Sequence, residues 1–246
     1  MIKFLKTVYR WLKFQLSVNW IKTLYFNFRM FPFKTAIKLP VYFYGSVKFT
    51  SLKGNLMIDA PIKRSMIGFG QQFEIGTRSK NVAEINLNGT LKLNGHVHIG
   101  KDCLLYVATN AHCEFGHMTC LGSEVKVFCT QKICLGNWAR IGYQSQLLDT
   151  NFHNMYNVQT KEKYPLSSPI LIGNYNAVAN NNTIMQGAKT PDYCVVASNT
   201  LLNKDYIPLG NYILLGGIPA KLIKEHFSRD WEGEKLGIEQ LLIRKK

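Results

Sequence analysis

The chain has 246 residues, 46% of them apolar, enough for one large domain or two small ones with a substantial core. Its net charge of +15 favours anionic partners: lipid head groups, nucleic acid or phosphorylated ligands. Its six cysteines include no C-x-x-C pair, and a chain this long does not depend on disulfide staples; they read as the reduced, buried thiols of a cytosolic protein.

Residues 1 to about 30 carry a helical period. Lys3, Lys6, Arg10 and Lys13 share one face. Ile2, Leu5, Val8, Tyr9, Leu12 and Leu16 share the other, with Trp11 and Trp20 near the border. No carboxylate precedes Asp59, whereas Lys or Arg recurs throughout residues 1–58. Two readings stand for the segment 1–40. Residues 1–22 form a basic amphipathic helix in contact with an anionic membrane surface, or the apolar face packs on the rest of the protein. Charges interrupt the apolar residues too often for a cleavable signal peptide. The longest uncharged run, 164–188, carries asparagines and prolines that hydrocarbon would not accept, so no transmembrane helix is expected.

From about 41 to 206 the period changes to six. Leu87, Leu93, Ile99 and Leu105 form one series, and Ile85, Leu91, Val97 and Cys103 run two residues ahead of it. The phase slips near 111 and again at 130–132. Phe115, Leu121 and Val127, then Leu135, Ile141 and Leu147, carry the series on. Ile172, Val178, Ile184, Thr190, Val196 and Leu202 follow without a break. A helix repeats at 3.6 residues and a strand at 2. A period of six fits a short strand and a tight corner, three of which close a triangular coil. Glycine follows Ile99, Phe115, Leu121, Leu135, Ile141 and Ile172, as corners require. The fold class is therefore all-β, a parallel β-helix with an N-terminal amphipathic helical segment and a C-terminal helical tail.

The segment 149–169 breaks the period. A long excursion from a regular solenoid is usually functional. DTNFHN, 149–154, stands at its root and carries His153, a candidate general base. Asp149, four residues earlier, has two readings: it fixes the tautomer of His153, or it is a turn residue bonded to nearby backbone. Residues 207–246 close the chain, and covering the open edge of the last coil is their simplest role.

Three stretches together resemble the hexapeptide-repeat acyltransferases, left-handed β-helix enzymes: KICLGNWARIGYQSQLLDTNFHN (132–154), ILIGNYNAVANNNTIMQGAKTPDYCVVASNTLLNKD (170–205) and GGIPAK (216–221). The likeness covers about 85–225 and is nearest to capsule and sugar O-acetyltransferases. It implies a left-handed coil and a homotrimer with sites between subunits. It implies acetyl-CoA as acyl donor, no metal, and a sugar or saccharide hydroxyl as acceptor. His153 matches the family's base. Lys204 and Lys221 match lysines that meet the cofactor's phosphates and adenosine end. Asn180, Ser198 and Asn203 match positions that hydrogen-bond the cofactor. Where the family usually has W-I-G before Asn180, this chain has Ala177-Val178-Ala179.

Other readings of the same residues are a catalytically inactive scaffold or membrane-binding module, and an N-acetyltransferase acting on an amino sugar. His96, His98, His112 and His117 raise a further one, a γ-type carbonic anhydrase, which needs three protein ligands on zinc. No nucleic-acid motif is present, so no nucleic-acid partner is expected. The expected setting is the cytoplasm, with peripheral contact at the inner face of the membrane.

Overall fold

The structure is a computed structural model that describes residues 15–71 and 81–243. The basic face at Lys3, Lys6, Arg10 and Lys13, with Trp11, lies outside the described residues.

The six-residue period becomes a triangular coil. The first coil lays β1 (Val41–Phe43), β2 (Val47–Leu52) and β3 (Asn55–Ile58) on three separate faces, and later coils stack on it in the same order. Among the described residues, the first face holds nine strands, the second seven and the third five. Pairing is parallel throughout the coils, and the fold is the left-handed parallel β-helix.

Register turns the sequence series into vertical columns. On the second face Phe49, Ile85, Leu105, Val127, Leu147, Ile184 and Leu202 lie one above another. On the first face Phe43, Phe69, Ile99, Leu121, Ile141, Val178, Val196 and Leu215 do the same. Apart from the partly exposed Phe49, all of these are buried in one continuous core. Burying each such side chain contributes about 1.5–3 kcal/mol. Both phase slips fall at the corner between the second and third faces, at 108–111 and 130–131, and the excursion 149–169 leaves from that same corner.

Close stacking explains the corner glycines. A Cβ on Gly116 would stand 2.4 Å from the backbone nitrogen of Asn137 in the next coil. At one corner the residue after the glycine position, which Pro191 fills in one coil, uses its side chain on the coil before. Between the third and first faces, His117 Nδ1 accepts from His96 N–H (3.2 Å) and Asn137 Oδ1 from His117 N–H (2.7 Å). Asn174 Oδ1 then accepts from Asn137 N–H (2.8 Å), and Asp192 Oδ1 from Asn174 N–H (2.7 Å). One residue further on, Met118, Trp138, Tyr175, Tyr193 and Tyr212 all have φ between 52° and 61°. Their left-handed backbone costs about 1–2 kcal/mol each. Ring stacking offsets part of that: Tyr175 lies 4.9 Å from Tyr193, which lies 4.7 Å from Tyr212.

Both ends of the solenoid are covered. Helix α1 (Trp20–Met30) lies over the first coil. Its Asn27 side chain donates to Val41 O (2.7 Å) and accepts from Val41 N–H (3.2 Å), and Thr23 Oγ1 accepts from Phe43 N–H (3.0 Å). The edge of β1 is thus satisfied by side chains, and Phe26 closes the core beneath them. Trp20, expected near the helix border, is half-buried and packs edge-on against Tyr42 at 5.4 Å. At the other end the closing segment adds a strand of its own. Leu214–Gly216 continues the first face, and Lys221–Lys224 folds back antiparallel to it. The tail helix α3 (Trp231–Leu242) lies instead along the aromatic corner column, with Trp231 5.7 Å from Tyr175 and 6.5 Å from Trp138.

Candidate active site

The excursion 149–169 is an arm folded back on itself. Antiparallel bridges join Thr150 to Ser167 and Tyr156 to Lys163, with Asn151 N–H bonded to Leu166 O (3.0 Å) and Tyr164 N–H to Met155 O (2.9 Å). It presents Phe152, Met155, Tyr156, Val158, Tyr164 and Leu166 to the surface.

Asp149 anchors its root. The side chain is fully buried. Oδ1 accepts from Thr130 N–H (2.7 Å) and Thr130 Oγ1–H (2.8 Å), and Oδ2 from the N–H groups of Gln131 and Lys132 (2.8 Å each). All four bonds go to the corner of the preceding coil and none to His153. Between the two readings of Asp149, this geometry is that of an anchor; its partners are three backbone N–H groups and one hydroxyl 17–19 residues away.

His153 is exposed and follows Phe152, whose φ is 59°. Two contacts set the direction of that bend. Thr150 Oγ1 accepts from Phe152 N–H (3.0 Å), and the Phe152 ring stands edge-on to Phe128 at 5.8 Å. The imidazole is thus carried on a fixed backbone and left open to a reactant.

The other candidates gather on the last coils. Asn203 and Lys204 lie at the corner between the second and third faces, two coils beyond the root of the arm. Asn180 and Ser198 lie at the adjacent corner, where Asn199 N–H bonds to Asn180 O (3.2 Å). The second face, with strands Thr183–Met185 and Leu201–Leu202, runs between these two corners. Lys221 begins the antiparallel strand that closes the end. The departure Ala177-Val178-Ala179 leaves the coil intact: Ala179 N–H bonds to Val196 O (2.9 Å), and Ala179 O accepts from Asn182 Nδ2 (2.7 Å).

Beneath the corner of Asn180 and Ser198 runs a buried polar ladder that the aliphatic series does not reveal. Ser145 Oγ accepts from Asn182 N–H (3.1 Å), Asn182 Oδ1 from Thr200 N–H (2.7 Å), and Thr200 Oγ1 from Gly217 N–H (3.3 Å). It makes that corner rigid.

The groups left on this surface suit a polyanion. Lys204 and Lys221 are exposed and pair with no carboxylate among the described residues; Lys204 lies over the Tyr206 ring at 5.6 Å. The carboxylate of Asp205 is already neutralised by Lys189 at 3.0 Å.

The remaining histidines are occupied elsewhere. His112 Nε2 lies 3.2 Å from Glu114 Oε2. Burial, then the charges of His117 and Lys63, lowers the His96 pKa to about 4; burial also lowers that of His117. Among the described residues no three His, Cys, Asp or Glu side chains come together as a metal site. All six cysteines are free thiols, and burial raises Cys103 and Cys194 to about 12, which makes them poor nucleophiles.

No family model matches the chain. A stretch of 57 residues, 23% of this chain, is 42% identical to 26% of a chloramphenicol acetyltransferase of Morganella morganii. A stretch of 89 residues, 31% of this chain, is 32% identical to 48% of a probable macrolide acetyltransferase of Lysinibacillus sphaericus. The chain thus spans less than half the length of these two curated relatives. Among solved structures, the polySia-specific acetyltransferase NeuO superposes with a TM-score of 0.56 at 17% identity, over 77% of this chain and 78% of that one. The two share the hexapeptide-repeat β-helix fold.

Proposed function

We propose that the protein is an acetyl-CoA-dependent O-acetyltransferase acting on a saccharide hydroxyl, with His153 as general base. The observation that carries this reading is His153 itself, held open on a fixed bend at the root of the arm, beside later coils that bear Lys204 and Lys221, neither paired with a carboxylate among the described residues. The partial identity to two acetyltransferases supports the reaction class.

The chemistry needs little more. A thioester is already activated, whereas a sugar hydroxyl has a pKa far above neutrality. Neutral imidazole takes the hydroxyl proton as the oxygen attacks the acetyl carbon, contributing about 10²–10⁴-fold in rate. Backbone N–H groups of the groove hold the developing oxyanion. The C–S bond then breaks, and the thiolate of coenzyme A leaves with the proton carried by His153. Lys204 and Lys221 hold the phosphates, and Asn180, Ser198 and Asn203 hydrogen-bond the remainder of the donor. No enzyme-bound acyl group is required, in keeping with thiols whose pKa burial raises at Cys103 and Cys194. The working state is a homotrimer in the cytoplasm, in which a neighbouring subunit closes each groove over the exposed His153.

Acceptor-dependent release of coenzyme A tests the proposal, measured with a thiol reagent over a panel of sugars and amino sugars. His153→Ala should lower turnover about 10²-fold or more while donor binding is kept. Turnover by the variant at the wild-type rate would remove His153 from the mechanism. Turnover confined to amino sugars would make the protein an N-acetyltransferase.

A further inference from the structure

Helix α1 has two opposite faces, one turned into the coil and one that is apolar and exposed. Thr23, Phe26 and Asn27 point into the first coil and are buried. Ile21, Leu24, Tyr25 and Phe28, at i, i+3, i+4 and i+7, lie roughly opposite them. Their exposures are 81%, 44%, 57% and 48%. Helix α1 closes the end of the solenoid, so Ile21, Leu24 and Phe28 look outward, while Tyr25 stands at the flank with its ring 6.1 Å from that of Phe49. This face continues into the short helix α2 (Phe33–Ala36): Phe28 and Phe33 have ring centroids 6.1 Å apart, and Phe33 and Ile37 are 71% and 54% exposed.

The rim of this patch has one sign of charge. Arg29, Lys34 and Lys38 are exposed and form no ion pair among the described residues. No carboxylate occurs anywhere in residues 1–58. Scattered exposed apolar residues need no explanation, but a contiguous outward patch on a capping helix does. A second copy meeting it face to face would bring like charges together. An apolar centre within a purely cationic rim is complementary to an anionic bilayer, whose head groups neutralise the cations while its acyl region accepts the side chains. Among the described residues no helix is long and apolar enough to cross a membrane, so such contact would be peripheral.

We propose that the outer face of α1 and α2, centred on Ile21, Leu24, Tyr25, Phe28, Phe33 and Ile37, is a docking surface for an anionic lipid bilayer. This assigns the contact to the solenoid's capping helices and is independent of the catalytic reading, whose residues lie on the last coils.

Sedimentation of the full chain with phosphatidylcholine vesicles, with and without phosphatidylglycerol, tests it. Wild type should bind the anionic vesicles and bind neutral ones far less. The triple variant Ile21→Gln/Leu24→Gln/Phe28→Gln should bind anionic vesicles about tenfold more weakly or worse. Arg29→Gln/Lys34→Gln/Lys38→Gln should lose roughly fivefold per cation and with it the preference for anionic lipid. Both variants should turn over a soluble acceptor at the wild-type rate. Hydrogen exchange of the wild type gives a reading that needs no variant: vesicles should protect amides in 20–38 and leave those of 149–169 unchanged. Wild type that ignores anionic vesicles would overturn the proposal. So would an apolar variant that binds as wild type does, or protection that falls elsewhere. A variant that breaks an oligomer without changing vesicle binding would assign the face to a second copy instead.

Discussion

Asp149 shows how far a single residue can be read from its neighbours in sequence. Its spacing from His153 is compatible with tautomer control, yet its four hydrogen bonds reach the corner of another coil. Contacts between coils are set by register, which local spacing does not display. The distinction is measurable. Asp149→Asn places an amide N–H against backbone N–H donors and removes charge-assisted bonds. It should destabilise the fold by about 2–3 kcal/mol, seen as a lower denaturant midpoint. The pH dependence of kcat/KM should keep its shape, because His153 loses no partner. A displaced pH profile at unchanged stability would restore Asp149 as the orienting residue. The excursion that carries His153 was legible, since 149–169 interrupts a six-residue ladder. The bend that aims His153, through Thr150 and Phe152, was not.

The coil as an element was legible almost completely. Inward positions need only be apolar and evenly spaced, and every member of the 172–202 series is buried, including Thr190, whose hydroxyl accepts from Gly173 N–H at 3.2 Å. The corners were read only as glycines. Their further rule, a capping side chain followed by a left-handed aromatic, is written in LGNW and IGNY but carries no hydrophobic period. The variant of that rule at His96 and His117 has a consequence for acid stability. Both imidazoles have lowered pKa values, His96 about 4 against 6.5 when unfolded. Between these values the unfolded chain binds more protons, so stability rises with pH through the window and is lost as pH falls from 6.5 toward 4. At about 1.4 kcal/mol per unit, His96 contributes no more than roughly 3.5 kcal/mol, and less where solvent reaches it. Replacing both histidines by Asn, which the column uses at 137 and 174, keeps the acceptor that His117 supplies and removes the titration. The fall in melting temperature from pH 7 to pH 4.5 should be smaller in that variant. An equal fall would place the acid sensitivity elsewhere.

As a whole molecule the chain is nearly one-dimensional: each coil touches only the next, so opening begins at the ends. The two ends are held differently, by side-chain caps from α1 at one and by a hairpin at the other, with α3 strapped along the last corners. Trp231 is the strap's anchor at 6% exposure. Trp231→Ala should cost about 3 kcal/mol. In hydrogen exchange the amides of residues 170–216 should open faster while those of 83–121 stay protected; uniform loosening would mean that the coils do not open from their ends. Stacking in fixed steps also gives the molecule a length scale. On the first face four parallel steps separate the coil under α1 from the coil that bears the arm. At about 4.8 Å per step, the root of His153 stands about 19 Å above the capped end. With that end resting on a bilayer and His153 acting as proposed, the molecule would be a gauge of height. For a saccharide held at the membrane surface, sugars next to the bilayer would pass beneath the site, and a hydroxyl several units further out would be the one presented to it.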